Sequence, residues 1–193
     1  MTAPQEHIVW WTDPAYVKAK EDTFHCLDQY LPQPPKRILD IGCGYAHVSE
    51  HFQRKYGTEL YLLDGDIRDN PATANRTSKY GPVQDFMFYS TVEDLRKSWD
   101  SRNLKYTFID ANNINIAPDV KFDLVYSWIS CGFHYPISVY KKLIQQHTDA
   151  NSTIIMDFRR KALKEQAKDF DIVHRLNGTD VQKKYRLHIK LKD

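Results

Sequence analysis

The segment Ile38-Leu39-Asp40-Ile41-Gly42-Cys43-Gly44 constrains this chain more than any other. A short apolar run enters a glycine turn, and a second run ends in Leu62-Leu63-Asp64-Gly65-Asp66. In open parallel sheets, a strand leading into a glycine turn beside a strand that ends in carboxylates builds a pocket for a nucleoside-type cofactor. The standard dinucleotide fingerprint needs a third glycine, whereas here Gly44 is followed by Tyr45, Ala46 and His47. The turn therefore departs from the pattern that packs pyrophosphate against a helix.

The remaining chain supplies alternating strands and helices. Residues 1–34 read as a helical lead-in, with Asp13 as cap and Pro14 at the first helical position. Tyr16, Val17, Phe24, Leu27 and Leu31 share one face at helical spacing, and Pro32 to Pro35 stop the helix. Strands are expected at Arg37–Ile41, Glu59–Leu63, Lys105–Ile109, Phe122–Ser127 and Ser152–Phe158. Helices are expected at Ala46–Tyr56, from Thr91 to about Ser98, at Ser138–His147 and at Arg160–Phe170. Turn residues scattered through 65–90 suggest a cofactor-side loop or lid with short helical pieces. Two terminal strands, Asp171–Leu176 and Tyr185–Lys190, are joined through Asn177-Gly178 with no helix between them. The later strand should therefore insert antiparallel into a mostly parallel sheet with helices on both faces.

The 193 residues suit one core, here residues 35–193 behind the lead-in. Lys plus Arg number 27 and Asp plus Glu 25, so the net charge of +2 gives no support for a broad nucleic-acid footprint. Cys26, Cys43 and Cys131 are odd in number and widely spaced, which fits a reduced cytoplasmic setting and neither a disulfide framework nor a zinc site. His47 and His51 stand four apart on a helix without an obvious acidic or cysteine partner, so no metal is expected. Residues 1–8 are polar and lack a targeting core, and no run reaches the ~20 apolar residues of a membrane span.

Four segments together resemble the class I S-adenosylmethionine-dependent methyltransferases. They are Leu39-Asp40-Ile41-Gly42-Cys43-Gly44, the acidic strand end at Asp64, Phe108-Ile109-Asp110-Ala111-Asn112, and Phe122-Asp123-Leu124-Val125-Tyr126-Ser127. The resemblance spans roughly residues 35–190 and implies a Rossmann-like, seven-stranded α/β fold with S-adenosyl-L-methionine as cofactor. By the same resemblance, Gly42, Cys43 and Gly44 pass beneath the amino-acid end of the cofactor, and Asp40 organises that turn or receives the ammonium group. Asp64, followed by Gly65, grips the ribose hydroxyls. Asp110 accepts from the adenine amino group, with Ala111 and Asn112 beside the ring. Ser127 and Trp128 lie where that family places the methyl group and the acceptor.

The segment Ser127-Trp128-Ile129-Ser130-Cys131-Gly132-Phe133-His134-Tyr135-Pro136 carries Trp, Phe, His and Tyr at the expected catalytic rim. His134 is the best proton acceptor there, if its pKa is near the ordinary value, or it packs beneath the rim. Trp128 and Tyr135 form an aromatic wall or a packed rim. Arg159 sits where it could touch an acidic substrate. His7, Trp10, Trp11 and Tyr16 could cover the site or dock the lead-in. The segment is unlike the Asn-Pro-Pro-Tyr or Asp-Pro-Pro-Tyr pattern of amino methyltransferases. It resembles enzymes labelled as sugar methyltransferases, which implies a small hydroxylated acceptor. Protein or nucleic-acid methylation, or a non-catalytic cofactor-binding module, are the competing readings.

Overall fold

The computed structural model describes residues 13–69, 88–176 and 184–192. Helix α1 (Pro14–Tyr30) begins as expected, with Asp13 Oδ1 accepting from the backbone N–H groups of Ala15 and Tyr16 at 2.8 and 3.2 Å. Strand β1 (Arg37–Ile41) leads to α2 (His47–Tyr56), which ends on Gly57 in the left-handed conformation. Strand β2 (Glu59–Asp64) follows, then α3 (Val92–Ser101), capped by Thr91 Oγ1 accepting from the Asp94 N–H at 3.0 Å. Strands β3 (Tyr106–Asp110), β4 (Leu124–Ser127) and β5 (Ser130–Tyr135) precede α4 (Lys141–His147). The chain continues through β6 (Thr153–Arg159), α5 (Arg160–Gln166), β7 (Phe170–Leu176) and β8 (Lys184–Leu191).

Seven of these strands form one sheet in the order β3-β2-β1-β4-β6-β8-β7. The first five are mutually parallel, and β8 runs antiparallel to both β6 and β7, as the missing crossover helix required. Alternate residues feed two cores. Ile38, Leu62, Leu124, Tyr126 and Ile155 pack with Leu27 of α1, Phe52 of α2 and Trp99 of α3 on one face. Leu39, Ile41, Val125, Met156 and Phe158 pack with Leu143 and Ile144 of α4 on the other. Chain order reverses between β1 and β4, which places a topological switch point at their carboxyl ends.

Several boundaries differ from expectation. The rim segment, for which no element is expected, contains a strand: Ser130–Tyr135 is extended as β5, outside the seven-strand order, after a two-residue link of Trp128 and Ile129. The helix expected over Arg160–Phe170 stops at Gln166, because Phe170 belongs to β7 and packs on Phe158 at 4.7 Å between ring centroids. The helix expected from Ser138 is split into a 3₁₀ turn, Ile137–Val139, and α4. Val17 is 39% exposed, since it lies about a quarter-turn from the buried row of Tyr16, Lys20, Phe24 and Leu27. His7, Trp10 and Trp11, residues 70–87 and the Asn177-Gly178 turn lie outside the described residues.

Leu27 is fully buried between α1 and the sheet. Leu27→Ala should lower unfolding free energy by about 2–5 kcal/mol in urea denaturation. A loss well under 1 kcal/mol would show that α1 is dispensable to the core.

Candidate active site at the switch point

The turn after β1 is tied to the end of β2. The N–H groups of Gly42 and Cys43 both donate to the Leu63 carbonyl, at 2.8 and 3.2 Å, and the Gly44 N–H donates to Asp64 Oδ2 at 2.7 Å. Gly42 has φ +66°, and a Cβ placed there would stand 1.8 Å from Ser130 Oγ. The absence of a side chain at Gly42 thus admits β5, whose Ser130 and Tyr135 hydroxyls bond to each other at 2.9 Å. Trp99 Nε1 donates to the Gly44 carbonyl at 3.1 Å and fixes the far side of the turn.

Asp64 and Asp110 end adjacent strands in direct register. Asp64 Oδ1 accepts from the Gly65 N–H at 2.9 Å, so each of its oxygens carries one backbone donor. The Cys43 thiol also donates to Oδ2, at a long 3.9 Å, and a hydroxyl is a stronger donor than that thiol, so the pair of oxygens can accept two hydroxyls once the thiol contact is displaced. Burial pushes the Asp64 carboxyl up to about 6, opposed by the Gly44 and Gly65 N–H bonds. Beside it, the Ala111 N–H donates to the Asp64 carbonyl at 2.9 Å, and Asp110 Oδ1 accepts from the Asn112 N–H at 2.8 Å. Asn112 Nδ2 reaches Asp69 Oδ2 at 3.0 Å. The Phe88 ring rests against Gly65, where a Cβ would meet it at 2.2 Å.

A cavity at the switch point is lined by Asp40, Gly42, Cys43, His47, Val48, Tyr126, Trp128 and Lys20. Asp40 is buried and accepts from Ser49 Oγ at 2.6 Å. Burial raises the Asp40 carboxyl and lowers the Lys20 ammonium, while each charge favours the other. Lys20 Nζ stands 3.8 Å from the Trp128 ring centroid, and Lys184 Nζ stands 4.9 Å from it. Trp128 itself is buried, donates from Nε1 to Thr23 Oγ1 at 3.2 Å, and meets Tyr16 edge-on at 5.1 Å. It packs beneath α1 in this structure and is not an open wall.

The other sequence-predicted residues divide. Ser127 Oγ donates to the Ile41 carbonyl at 2.8 Å and accepts from the Cys131 N–H at 2.9 Å, which splices β1, β4 and β5 together. Tyr135 is buried with its hydroxyl near Gly42. His134 departs from the ordinary histidine expected at the rim: burial, reinforced by the Arg159 charge, lowers its pKa to about 4. Its Nδ1 is buried with no hydrogen-bond partner among the described residues. The structure thus gathers Asp40, Gly42, Cys43 and Trp128 around one cavity, with Asp64, Gly65, Asp110, Ala111 and Asn112 along the adjoining strand ends.

Sequence reasoning missed Lys20, Ser49, Trp99 and the buried trio of Asp157, Lys184 and Arg186. Lys20 had a signal, since it stands four residues from both Tyr16 and Phe24 on the apolar face of α1. Asp157 accepts from Lys184 Nζ at 2.6 Å and from Arg186 Nε at 2.9 Å, pairings made across β6 and β8 that no local pattern announces. Among the described residues, no group of three or more His, Cys, Asp or Glu side chains could hold a metal ion. No described helix is long and apolar enough to cross a membrane.

No protein-family model matches the chain, and no curated protein does. Solved structures do share its architecture. The PH0226 protein from Pyrococcus horikoshii OT3 superimposes with a TM-score of 0.62 at 16% identity, over 94% of this chain and 93% of that one. A methyltransferase from Pyrococcus furiosus gives 0.57 at 12% identity, over 88% and 81%. The T. thermophilus 16S rRNA N2 G1207 methyltransferase RsmC, solved with AdoMet and guanosine, gives 0.58 at 13% identity, over 94% of this chain but 44% of that one. The chain has the Rossmann-like class I methyltransferase fold.

Gly42→Ala should cost about 1–3 kcal/mol of stability through the positive φ and the Ser130 overlap together. In a Ser130→Gly background the overlap disappears and the φ strain remains, so the cost should fall without vanishing. Equal costs in the two backgrounds, read by urea denaturation, would show that β5 does not press on the turn.

Proposed function

We propose that this protein is an S-adenosylmethionine-dependent methyltransferase acting on a small hydroxylated acceptor. The observation that carries the reading is Asp64: a carboxylate at the carboxyl end of β2, held on both oxygens by backbone donors, with further acceptor capacity on Oδ1 and only the weak Cys43 thiol as second donor to Oδ2. Asp110 stands beside it in register, and the switch-point cavity adjoins it through the glycine turn. The residues fit this cofactor. Asp64 would take the ribose hydroxyls, Asp110 and Asn112 the base, and the pair of opposite charges at Lys20 and Asp40 the zwitterionic amino-acid end. When bound, the cofactor supplies an electrophilic methyl group on a sulfonium.

The chain's own task is then to align the acceptor with that methyl group and to exclude water. Lys20 of α1 and Trp128 beneath that helix close one side of the cavity. His134 is neutral at pH 7, and a ring nitrogen would orient an acceptor hydroxyl by accepting its hydrogen bond. With its pKa lowered to about 4, it is a weak proton acceptor, so its role is orientation more than general-base catalysis. No observation in the structure singles out a sugar. RsmC, a 16S rRNA methyltransferase, shares this fold, so a macromolecular acceptor is the second reading. Salt dependence of turnover separates the two.

Wild-type protein should bind S-adenosylhomocysteine at micromolar concentration in calorimetry, and Asp64→Ala should weaken this at least about tenfold, the loss of ~1.4 kcal/mol expected for charge-assisted bonds. Because the Asp64 carboxyl titrates at about 6, protonation removes acceptor capacity as pH falls, so affinity should decline below pH 6. The decline should be shallower in Asp64→Asn, with the remainder due to Asp40, whose buried carboxyl is also pushed up to about 6. Lys20→Met should weaken binding, and because it leaves the buried Asp40 carboxylate without its cation it should also cost about 3–5 kcal/mol of stability. Absence of any binding by the wild type would sink the enzyme reading.

A further inference from the structure

A partly buried guanidinium favours a nearby anion, and Arg159 has none beside it among the described residues. Arg159 ends β6 and is only partly exposed. Its Nε donates to the Phe133 carbonyl at 3.3 Å, and its Cζ stands 4.2 Å from the Phe133 ring centroid. Nearby Lys184 and Arg186 are compensated, because both bond to Asp157. Arg159 has a different environment. Among the described residues, the titratable groups that interact with its charge are His134 and Tyr89, and neither supplies a negative charge. Burial, opposed by Arg159, holds the Tyr89 phenol at about 12, so it stays neutral. His134 is likewise neutral, and its buried Nδ1 has no partner among the described residues.

These groups form one cluster: His134 meets the Phe133 ring edge-on at 4.9 Å and the Tyr89 ring at 6.0 Å. The cluster adjoins the candidate active site on two sides. Tyr89 follows Phe88, which rests on Gly65. His134 lies on β5, whose Ser130 and Tyr135 border Gly42. The long-range field has the same sign: residues 159–193 hold eleven Lys and Arg against five Asp and Glu, in a chain whose net charge is only +2.

We propose that the methyl acceptor carries a carboxylate or phosphate oxyanion that Arg159 binds, with the His134 Nδ1–H as second donor. Arg159 is then the specificity-determining residue of the acceptor side, and His134 serves twice. One ring nitrogen donates to the oxyanion and the other accepts from the reacting hydroxyl. Phe133 backs the guanidinium through a cation–π contact, and the guanidinium fork suits a planar or trigonal array of oxygens. The inference deepens the proposed function and rests on its placement of the acceptor beside His134.

The test follows the His134 imidazole by NMR in histidine-labelled protein at pH 7 and constant ionic strength, with the resonance assigned by its loss in His134→Gln. Acetate and inorganic phosphate are titrated separately, each with and without S-adenosylhomocysteine. One anion should shift the His134 resonance saturably, and Arg159→Gln should weaken that response at least about tenfold. A response to acetate assigns a carboxylate acceptor, and a response to phosphate assigns a phosphate ester. No saturable shift with either anion, or an equal shift in Arg159→Gln, overturns the proposal. A saturable anion response without any S-adenosylhomocysteine binding would sustain the oxyanion subsite and sink the methyl-donor reading instead.

Discussion

The backbone clamp between the β1 turn and the end of β2 is the constraint on which the rest of the site depends. Gly42, Cys43 and Gly44 commit three successive N–H groups to Leu63 and Asp64, so the turn has no donors to spare for alternative conformations. The same turn and the Gly65 N–H fix the Asp64 carboxylate at the strand ends. Positive φ at Gly42 and the contact with Ser130 then decide where β5 can run. Displacing the turn would disturb the carboxylate, the approach of β5 and the wall of the switch-point cavity together.

The second organising feature is a polar layer between α1 and the sheet. Asp40 and Asp157 project from the face that also carries Tyr126, and Lys20, Lys184 and Arg186 meet them there. Burial penalises every one of these charges, and the Asp157 carboxyl is nonetheless held below the usual range because Arg186 and Lys184 outweigh the cost. Removing one partner of such a set generally costs about 3–5 kcal/mol, although an apolar layer of the same shape can be as stable. Stability alone therefore does not account for the charges. Their position explains more: Lys20 and Asp40 face the cavity, and Asp157 holds the start of β8 at the ligand end of the sheet.

Local chemistry made much of the fold legible. Asp13-Pro14, Thr91 with Asp94, and Gly57 each satisfy orphan backbone groups within a few residues, so the helix ends could be read directly. The antiparallel β8 followed from a missing crossover helix. What stayed hidden depends on contacts distant in sequence. The charge on Lys20 gave no sign that Asp40 and Trp128 would enclose it. The residue types of the segment containing His134 suit a rim, while its extended conformation goes with its packing against β6 and Gly42. The basicity of His134 could not be read at all, because burial and Arg159, 25 positions away, set it.

The link from β4 to β5 shows how these constraints meet. Only Trp128 and Ile129 join the strands, and Ile129 takes φ +49°, a conformation that β-branched residues rarely adopt. Such strain persists where surrounding contacts over-determine the backbone. On one side Trp128 is held by Thr23, Tyr16 and Lys20; on the other, Ser127 Oγ bonds to both Ile41 and Cys131. A relaxed, longer loop would free both anchors and let β5 move away from Gly42. The strained link instead holds Trp128 against the cavity and aims β5, with His134, along its border. Under the proposed function, that fixed distance would serve methyl transfer, since displacement in line tolerates little misalignment.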